Sequence, residues 1–334
     1  MNLIVRKYSE QDNEQWDKFV MEQSMNGTFL QTRKFINYHK PGKFEDHSLV
    51  FCKGNAYVAV ILGCVIFEEG KKTFYSHGGT SFGGILIKKK YYSTTHVNEL
   101  FEILENYLKE NAFDKCIIKE TPCIFEKETT ELVDYFYYYK GFAQCSELNF
   151  YLDLKDYQED IFKNFTSGKR RDCRYSFDKE LEFKQIESNM EIEDFHRVLL
   201  LNLDKLGLRC VHTTDDLIDL KKNRFNGNIR FYAVYYEGKM IAGSMIFLFD
   251  NGVFHTQYLA SDEQYLNLFP MDFLIYHLIE EAVRDSKRLF TFGICTEDRG
   301  KYLNFGLSRF KEGFGAKYTI NKTFEKSFPG GKTE

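Results

Sequence analysis

A pattern of strands and glycine turns that occurs twice along the chain is the strongest constraint on its fold. In the first copy, strand-like apolar runs separated by Lys-Gly-Asn and Glu-Gly-Lys turns cover residues 48–52, 57–67 and 73–77. In the second copy, runs separated by Glu-Gly-Lys and Asp-Asn-Gly turns cover residues 230–236, 240–249 and 253–259. Strands joined by short glycine turns predict antiparallel meanders. Because the copies are far apart in the sequence, they predict a duplicated domain rather than a solenoid of short repeats.

Each predicted meander is flanked by stretches with the period of an amphipathic helix. The stretches before the meanders are residues 10–23 and 191–206, and those after them are residues 97–109 and 272–284. A further strand follows each later helix, at residues 114–119 and 288–294. This order predicts an α/β protein with two units, each a mixed twisted sheet covered by helices. We expect a first domain at 1–155, a second at 156–325 and a polar tail at 326–334.

Charge and cysteine usage narrow the cellular context. The formal net charge of the chain is −4, which argues against the broad basic face of a general nucleic-acid binder, DNA-binding proteins included, and counts weakly against tRNA. The eight cysteines form no CxxC pair, so we expect buried thiols in a reducing compartment and no metal site. The N-terminus lacks the apolar region of a signal peptide, and the longest apolar run, residues 56–67, is shorter than the ~20 residues of a membrane span. These features predict a cytoplasmic protein without integral membrane contact.

A glycine-rich stretch and a basic stretch are candidate anion-binding segments. Residues 78–84 contain four glycines, and the exposed N–H groups of such a loop can bind phosphate. A turn that only reverses the chain is the alternative. Residues 167–174 contain four cations that suit phosphate oxygens, with a solvated helix end as the alternative. The residues expected to contact substrate here are His77, Gly78, Gly79, Lys169, Arg170 and Arg171.

The segment 301–315 places Lys311 between Phe310 and Phe314, with glycines at 313 and 315. A lysine among aromatic side chains and glycines can oppose an anion while another backbone approaches closely. We expect its ammonium group to lie in a solvated cleft and to contribute little to folding stability. A surface lysine whose stem covers the two phenylalanines is the alternative.

The motif LNFGLSRFKEGFGA at 303–316 resembles the C-terminal segment of the Fem-type transferases and their relatives with the GNAT fold. The repeated order of strands and helices is similar to a tandem pair of GNAT domains without the helical arm of some Fem-type proteins. The resemblance implies transfer of an acyl or aminoacyl group onto an amine, from acyl-CoA or aminoacyl-tRNA, with no permanently bound cofactor. It implies a phosphorylated or lipid-linked acceptor, such as an amino sugar or amino acid in a cell-envelope or polysaccharide precursor, and tRNA as a partner if tRNA is the donor. A non-catalytic scaffold that binds such a precursor is a further alternative.

The resemblance also implies roles for individual residues. Lys311 would stabilise charge in the transfer step, since Fem-type proteins carry an essential lysine in the matching Phe-Lys pair. Tyr258 and Asp262 would join it as catalytic residues, because the end of their strand faces the acyl donor in the GNAT fold. The loop 261–271 contains no glycine, unlike the glycine loop that binds the diphosphate of acyl-CoA, and this departure counts against acyl-CoA. Further substrate-binding residues are expected where the last strand ends, at Gly293, Glu297, Arg299 and Asn304.

Overall fold

The structure, a computed structural model, describes residues 2–76, 78–205 and 207–328. The predicted contact His77 and the tail residues 329–334 lie outside the described residues. The chain forms two compact units, the first comprising Met1–Glu147, Asp298–Gly300 and Ile320–Glu334, and the second Leu148–Glu297 and Lys301–Thr319. The sequence analysis expected the division at 155/156 and the second domain to run to 325. Two long strands, Ala143–Asp153 and Lys317–Ser327, pass from one unit to the other without a break, so no loop composition marks the division.

The first unit is a mixture of short helices and two groups of paired strands. Its helices are α1 (Asn13–Lys18), α2 (Arg33–Ile36), α3 (Thr94–Glu110) and α4 (Glu131–Tyr139). Its strands are β1 (Leu3–Lys7), β2 (Glu45–Asp46), β3 (Leu49–Lys53), β4 (Ala56–Ile61), β5 (Cys64–Glu68), β6 (Lys71–Tyr75), β7 (Ile85–Ile87) and β8 (Lys115–Lys119), followed by β9 (Ala143–Asp153). One group has the order β1-β3-β4-β7, and the other has the order β8-β6-β5-β2.

The long strand expected at 57–67 is two strands. β4 pairs with β3 and β7, whereas β5 pairs with β6 and β2. The break includes Gly63, where a Cβ atom would lie 2.3 Å from the ring of Phe74. Because only glycine permits this approach, the chain can leave one sheet and enter the other here. The three-strand meander predicted for the first copy is therefore wrong, and the chain forms two hairpins in separate sheets.

The second unit contains the predicted meander. Its helices are α5 (Ser167–Phe177), α6 (Asn189–Lys205), α7 (Thr214–Asp219), α8 (Pro270–Arg284) and α9 (Phe305–Glu312). Its strands are β10 (Glu182–Ile186), β11 (Ile229–Tyr236), β12 (Lys239–Phe249), β13 (Val253–Ser261), β14 (Leu289–Ile294), β15 (Thr296–Glu297) and β16 (Tyr302–Leu303). Strand β17 (Lys317–Ser327) begins in this unit and continues into the first. Strands β10 to β13 pair antiparallel in chain order, and β14 then pairs parallel with β13. The α/β class is confirmed.

Helices α6 and α8 cover opposite faces of this sheet. Ala242 and Ile246 of β12 belong to the buried cluster that includes Leu274 and Leu278 of α8. A side chain at Gly243 would lie on the other face, because a Cβ atom there would be 2.7 Å from the ring of Phe195 in α6. Each fully buried Leu or Ile side chain contributes roughly 1.5–3 kcal/mol to stability, so packing on both faces holds the sheet firmly. Among the described residues, no helix is both long and apolar enough to cross a bilayer.

Candidate active site

The parallel strands β13 and β14 separate partway along their length. Their pairing runs from Val253–Leu289 to His255–Thr291, whereas β13 continues to Ser261 and β14 to Ile294. Gly293, with φ of +73°, lies just beyond the last pair, and its N–H group donates to Thr291 Oγ1 at 3.2 Å. Strands that separate leave backbone N–H and C=O groups that need other partners. A side chain or a ligand can therefore reach the sheet between these strand ends.

Lys311 places its ammonium group at these strand ends. The residue lies in α9, and only 2% of it is exposed. Its Nζ donates to the carbonyl oxygens of Gly293 at 2.9 Å and Ile294 at 2.7 Å, and it lies 5.3 Å from the centre of the Phe150 ring. Burial lowers the pKa of this ammonium group to about 8, because the charged form loses hydration. The expected solvated cleft is therefore wrong, and Lys311 is a buried cation held by two carbonyl groups.

The aromatic neighbours of Lys311 in the sequence hold a different lysine. The ring centres of Phe310 and Phe314 lie 4.3 and 4.8 Å from Nζ of Lys169 in α5. The same Nζ forms an ion pair of 2.5 Å with Asp272 in the first turn of α8. Neighbours along a helix point in different directions, so α9 directs Lys311 to β14 and Phe310 to Lys169, and Phe314 contacts Lys169 from just beyond the end of the helix. Phe310 and Phe314, which were expected to flank the ammonium group of Lys311, flank that of Lys169 instead.

A β-bulge brings His255 and Tyr258 onto one face of the sheet. Residues three apart on a regular strand point to opposite faces. Here His255 pairs with Phe247 and Tyr258 pairs with Met245, two residues apart on β12, so β13 contains one additional residue. Burial, with a smaller contribution from the charge of Lys311, lowers the pKa of His255 to about 4. His255 is therefore neutral near pH 7 and lies near the charged Lys311, on the face that carries Tyr258.

Tyr258 has a histidine partner that the sequence analysis missed. The Tyr258 hydroxyl lies 2.6 Å from Nδ1 of His212, and the two rings meet edge-on with centres 5.6 Å apart. His212 lies just before α7, where it lines an open groove of about 520 Å³. It is only 6% exposed. Neither a strand period nor a helix period applies to such a segment, so no spacing in the sequence could have identified it.

Asp262 and Asn304, both predicted to act on substrate, cap helices. Oδ1 of Asp262 accepts from the N–H group of Gln264 at 3.1 Å at the start of a 3₁₀ helix, and Oδ2 lies 3.2 Å from Nζ of Lys239. Oδ1 of Asn304 accepts from the N–H group of Leu307 at 3.0 Å at the start of α9. Such bonds satisfy N–H groups that a helix start leaves without a backbone partner. Asn304 thus helps to define the helix that carries Lys311.

Gly78, Gly79 and Arg299 belong to the first unit. A Cβ atom at either glycine would come within 2.3 Å of a neighbouring side chain, so close packing requires glycine at both positions. Arg299 forms ion pairs with Glu68 at 2.6 Å and Glu325 at 3.2 Å. These contacts place Arg299 in a charged network of the first unit, while Gly293 and Lys311 are in the second unit.

The remaining predicted contacts are surface charges of the second unit. Arg170 and Arg171 lie on α5, and the side chain of Arg171 is 80% exposed, 2.9 Å from Asp172. Glu297 is exposed in β15, which pairs with β16 through Tyr302. Arg171 presents its charge to solvent, where it is accessible to an anionic ligand, and Arg170 is half-buried beside it.

The first unit fills the corresponding strand separation with its own loop. The parallel pairing of β6 and β8 ends at Tyr75–Ile117. Beyond this pair, the Ser76 hydroxyl accepts from the N–H group of Lys119 at 3.0 Å, and the N–H group of Gly83 donates to the Lys119 carbonyl at 3.0 Å. The backbone groups that strand separation would leave for a ligand are thus used internally. The candidate active site is therefore the strand separation of the second unit.

The start of α8, which follows β13 in the chain, is poorly suited to an anion. A helix start binds anions through N–H groups and the positive end of its dipole. Here the first residue is Pro270, which has no N–H group. The carboxylate of Asp272 lies buried in the same turn, paired with Lys169. A second anion at this position would meet the negative charge of Asp272.

Comparison with known proteins identifies the same part of the chain. Residues 169–312, which include β13, β14, α8 and α9, match the family model of the acetyltransferase (GNAT) domain. No curated protein sequence matches the chain.

Solved structures share the fold over nearly the whole chain. FemX is 12% identical, with a TM-score of 0.69 and coverage of 97% of each chain. The C-terminal domain of a putative lysylphosphatidylglycerol synthetase from Agrobacterium fabrum is 11% identical, with a TM-score of 0.62 and coverage of 94% of this chain and 91% of that one. A tandem GNAT protein from the clavulanic acid biosynthesis pathway is 10% identical, with a TM-score of 0.58 and coverage of 98% and 100%. The predicted tandem GNAT-like architecture is confirmed: residues 169–312 match the acetyltransferase (GNAT) domain, and the chain shares its fold with FemX and with the tandem GNAT protein.

Proposed function

We propose that the protein transfers an acyl or aminoacyl group onto an amine of a small-molecule or cell-envelope precursor. The observation that carries this proposal is the buried ammonium group of Lys311 where β13 and β14 separate. When an amine attacks an acyl carbonyl, negative charge develops on the carbonyl oxygen, and a fixed cation in a site of low dielectric stabilises it. With a pKa of about 8, most Lys311 side chains carry that charge at pH 7.

The rest of catalysis is positioning. The amine nitrogen bonds to the carbonyl carbon, and the bond from that carbon to the oxygen or sulfur of the donor breaks. No covalent enzyme intermediate is needed, because holding the two reactants in an attacking geometry can by itself supply about 7–11 kcal/mol of the barrier. The firmly packed sheet and the two carbonyl groups that hold Lys311 provide a rigid frame for this geometry.

The start of α8 favours an aminoacyl ester over acyl-CoA as the donor. Pro270 and the buried Asp272–Lys169 ion pair do not fit the CoA diphosphate at this helix start. The half-buried Arg170 and the exposed Arg171 on α5 offer an alternative place for the phosphates of a tRNA end or of the acceptor. We therefore place aminoacyl-tRNA first among the possible donors. Acyl-CoA comes second, and it is kept because residues 169–312 match the family model of the acetyltransferase (GNAT) domain.

The proposed acceptor is an amine on a phosphorylated or lipid-linked envelope or polysaccharide precursor, acted on in the cytoplasm. Support comes from the shared fold with FemX and with the domain named for lysylphosphatidylglycerol synthesis. A non-catalytic scaffold is the competing function. The buried charge of Lys311 argues against a scaffold, because an uncompensated buried cation costs stability and is retained most readily where it has a role.

The test is a transfer assay with both donors. Purified protein is incubated with radiolabelled aminoacyl-tRNA or acetyl-CoA and with amine-bearing nucleotide-sugar precursors, and labelled amide is measured by chromatography. We expect label from aminoacyl-tRNA that ribonuclease treatment of the donor abolishes. Label from acetyl-CoA alone would reverse the order of the donors. Tight binding of a precursor without transfer from either donor would establish the scaffold instead.

A further inference from the structure

We propose that Tyr258 and His212 form a proton relay in which the tyrosine accepts the proton of the attacking amine and passes its own to the histidine. The inference rests on the proposed acyl transfer. It assigns a positioning role to His212, a residue outside every motif of the sequence.

The relay follows from the placement of the two side chains. Tyr258 lies on β13 beyond His255, in the part of the strand that no longer pairs with β14. The bulge turns its side chain to the face that carries His255, near Lys311. A reactant bound at the strand separation would thus meet the ammonium group of Lys311 and the hydroxyl of Tyr258 from the same face. The 2.6 Å contact to Nδ1 of His212 is short enough for proton transfer within the pair.

The acyl transfer requires such a group. An amine that becomes an amide must lose a proton, and neutral His255 is not suited as its acceptor, since burial and Lys311 lower the pKa of that imidazole to about 4. In the relay, the amine proton moves to the Tyr258 oxygen as the hydroxyl proton moves to Nδ1 of His212, whose own hydrogen is on Nε2. The proton then returns by the same route to the oxygen or sulfur of the departing carrier. The net change is one new carbon–nitrogen bond, one broken bond to the carrier and one proton moved.

The groove beside His212 gives the acceptor a path to this pair. It opens to solvent between α6 and α7 and is lined by apolar Leu200 and Leu208 as well as by polar groups. The titratable and charged groups that line this groove together with His212 are His196 and Asp204 of α6, Arg209 and Cys210 of the preceding segment and Asp215 of α7. On the face that carries Tyr258, the charge of Lys311 acts on His255.

The test compares Tyr258→Phe and His212→Asn in the transfer assay over a range of pH. Asparagine keeps a polar atom near the position of Nδ1 but cannot take up a proton. We expect kcat to fall by roughly 10²–10⁴ in each variant with KM nearly unchanged, as for loss of a general base, and the acidic limb of the pH profile to disappear in His212→Asn. His277→Asn is the matched control, because His277 lies on α8, which covers the opposite face, and bonds to Glu280 at 2.6 Å. It should keep the wild-type kcat and pH profile.

The outcomes separate the relay from the transfer itself. Wild-type protein that transfers nothing from either donor would overturn both. Active wild-type protein with unchanged kcat and pH profile in Tyr258→Phe and His212→Asn would overturn the relay alone. If circular dichroism shows that either variant does not fold, 3-fluorotyrosine is placed at position 258 instead. It keeps the shape of the tyrosine ring and makes the hydroxyl group more acidic. A displaced pH profile then supports the relay, and an unchanged profile contradicts it.

Discussion

Replacing Lys311 by methionine tests whether the buried cation serves the reaction or the fold. Methionine keeps much of the apolar stem and removes the charge. The wild-type ammonium group is buried and donates to the carbonyl oxygens of Gly293 and Ile294. The substitution therefore removes a candidate catalytic charge and leaves two carbonyl groups without this partner.

The effect on stability is the difference between two opposing terms. Lowering the Lys311 pKa from 10.5 to about 8 corresponds to about 3 kcal/mol of unfavourable burial, which methionine relieves. Each carbonyl group left unsatisfied costs about 1–3 kcal/mol. The free energy of unfolding should therefore fall by at most about 3 kcal/mol, whereas the loss of transition-state stabilisation should lower turnover by roughly 10²–10³.

The pH dependence gives a second signature, because activity and stability should respond in opposite directions. Turnover that needs the ammonium form falls as pH rises through about 8, the pKa of Lys311 in the folded protein. Between about 8 and 10.5 the unfolded chain keeps a proton that the folded protein has released, so the contribution of Lys311 to stability rises with pH. The Lys311→Met variant should show neither trend.

Turnover and melting temperature are measured on the same preparations, with Lys221→Met as the matched control. Lys221 is 3% exposed in the second unit and lies 3.1 Å from Glu187, outside the strand separation. The control should lose stability and keep its turnover. A Lys311→Met protein with full turnover would refute the catalytic role. Activity lost only in proportion to unfolded protein would show that Lys311 is structural.

Three further predictions concern other charged groups. The double variant Arg170→Glu, Arg171→Glu should bind a phosphorylated precursor more weakly than the wild type, and binding by the wild type should weaken with added salt. If calorimetry gives the same affinity for the wild type and the double variant, these arginines are only solvated surface charges. Lys169→Met should lower the free energy of unfolding by about 3–5 kcal/mol, because it leaves buried Asp272 without its partner, and Asp272→Asn in the same chain should restore part of the loss in denaturant titrations. Burial raises the pKa of Glu120 in the first unit from 4.5 to about 8, so between these values the unfolded chain releases a proton that the folded protein keeps, and stability falls as pH rises. Glu120→Gln should flatten this trend in melting temperature, and an unchanged slope would contradict the buried proton.

The second unit follows its sequence pattern more closely than the first, and a single tertiary contact accounts for the difference. Strands β11 to β13 are separated by glycine turns with polar neighbours, and the following helix has four-residue spacing of apolar side chains. These signals are short-range and suffice for a hairpin or an amphipathic helix. In the first unit, residues 57–67 have the same apolar character, yet Gly63 divides them between two sheets. The cause is the approach of the Phe74 ring, a tertiary contact that no local period records.

The chemistry of the candidate active site depends on tertiary structure even more strongly than the strand boundaries do. A sequence motif identified Lys311, but its burial and its two carbonyl partners depend on where α9 lies against β14, and that burial is what lowers its pKa. Strict alternation along β13 would have separated His255 from Tyr258, and one additional residue in the strand reverses this. His212 joins them from a segment without periodicity. The charge state of the cation, the shared face and the proton partner are thus properties of the folded chain. For this reason the motif and the family resemblance pointed to Lys311 and Tyr258 but not to what each of them contacts.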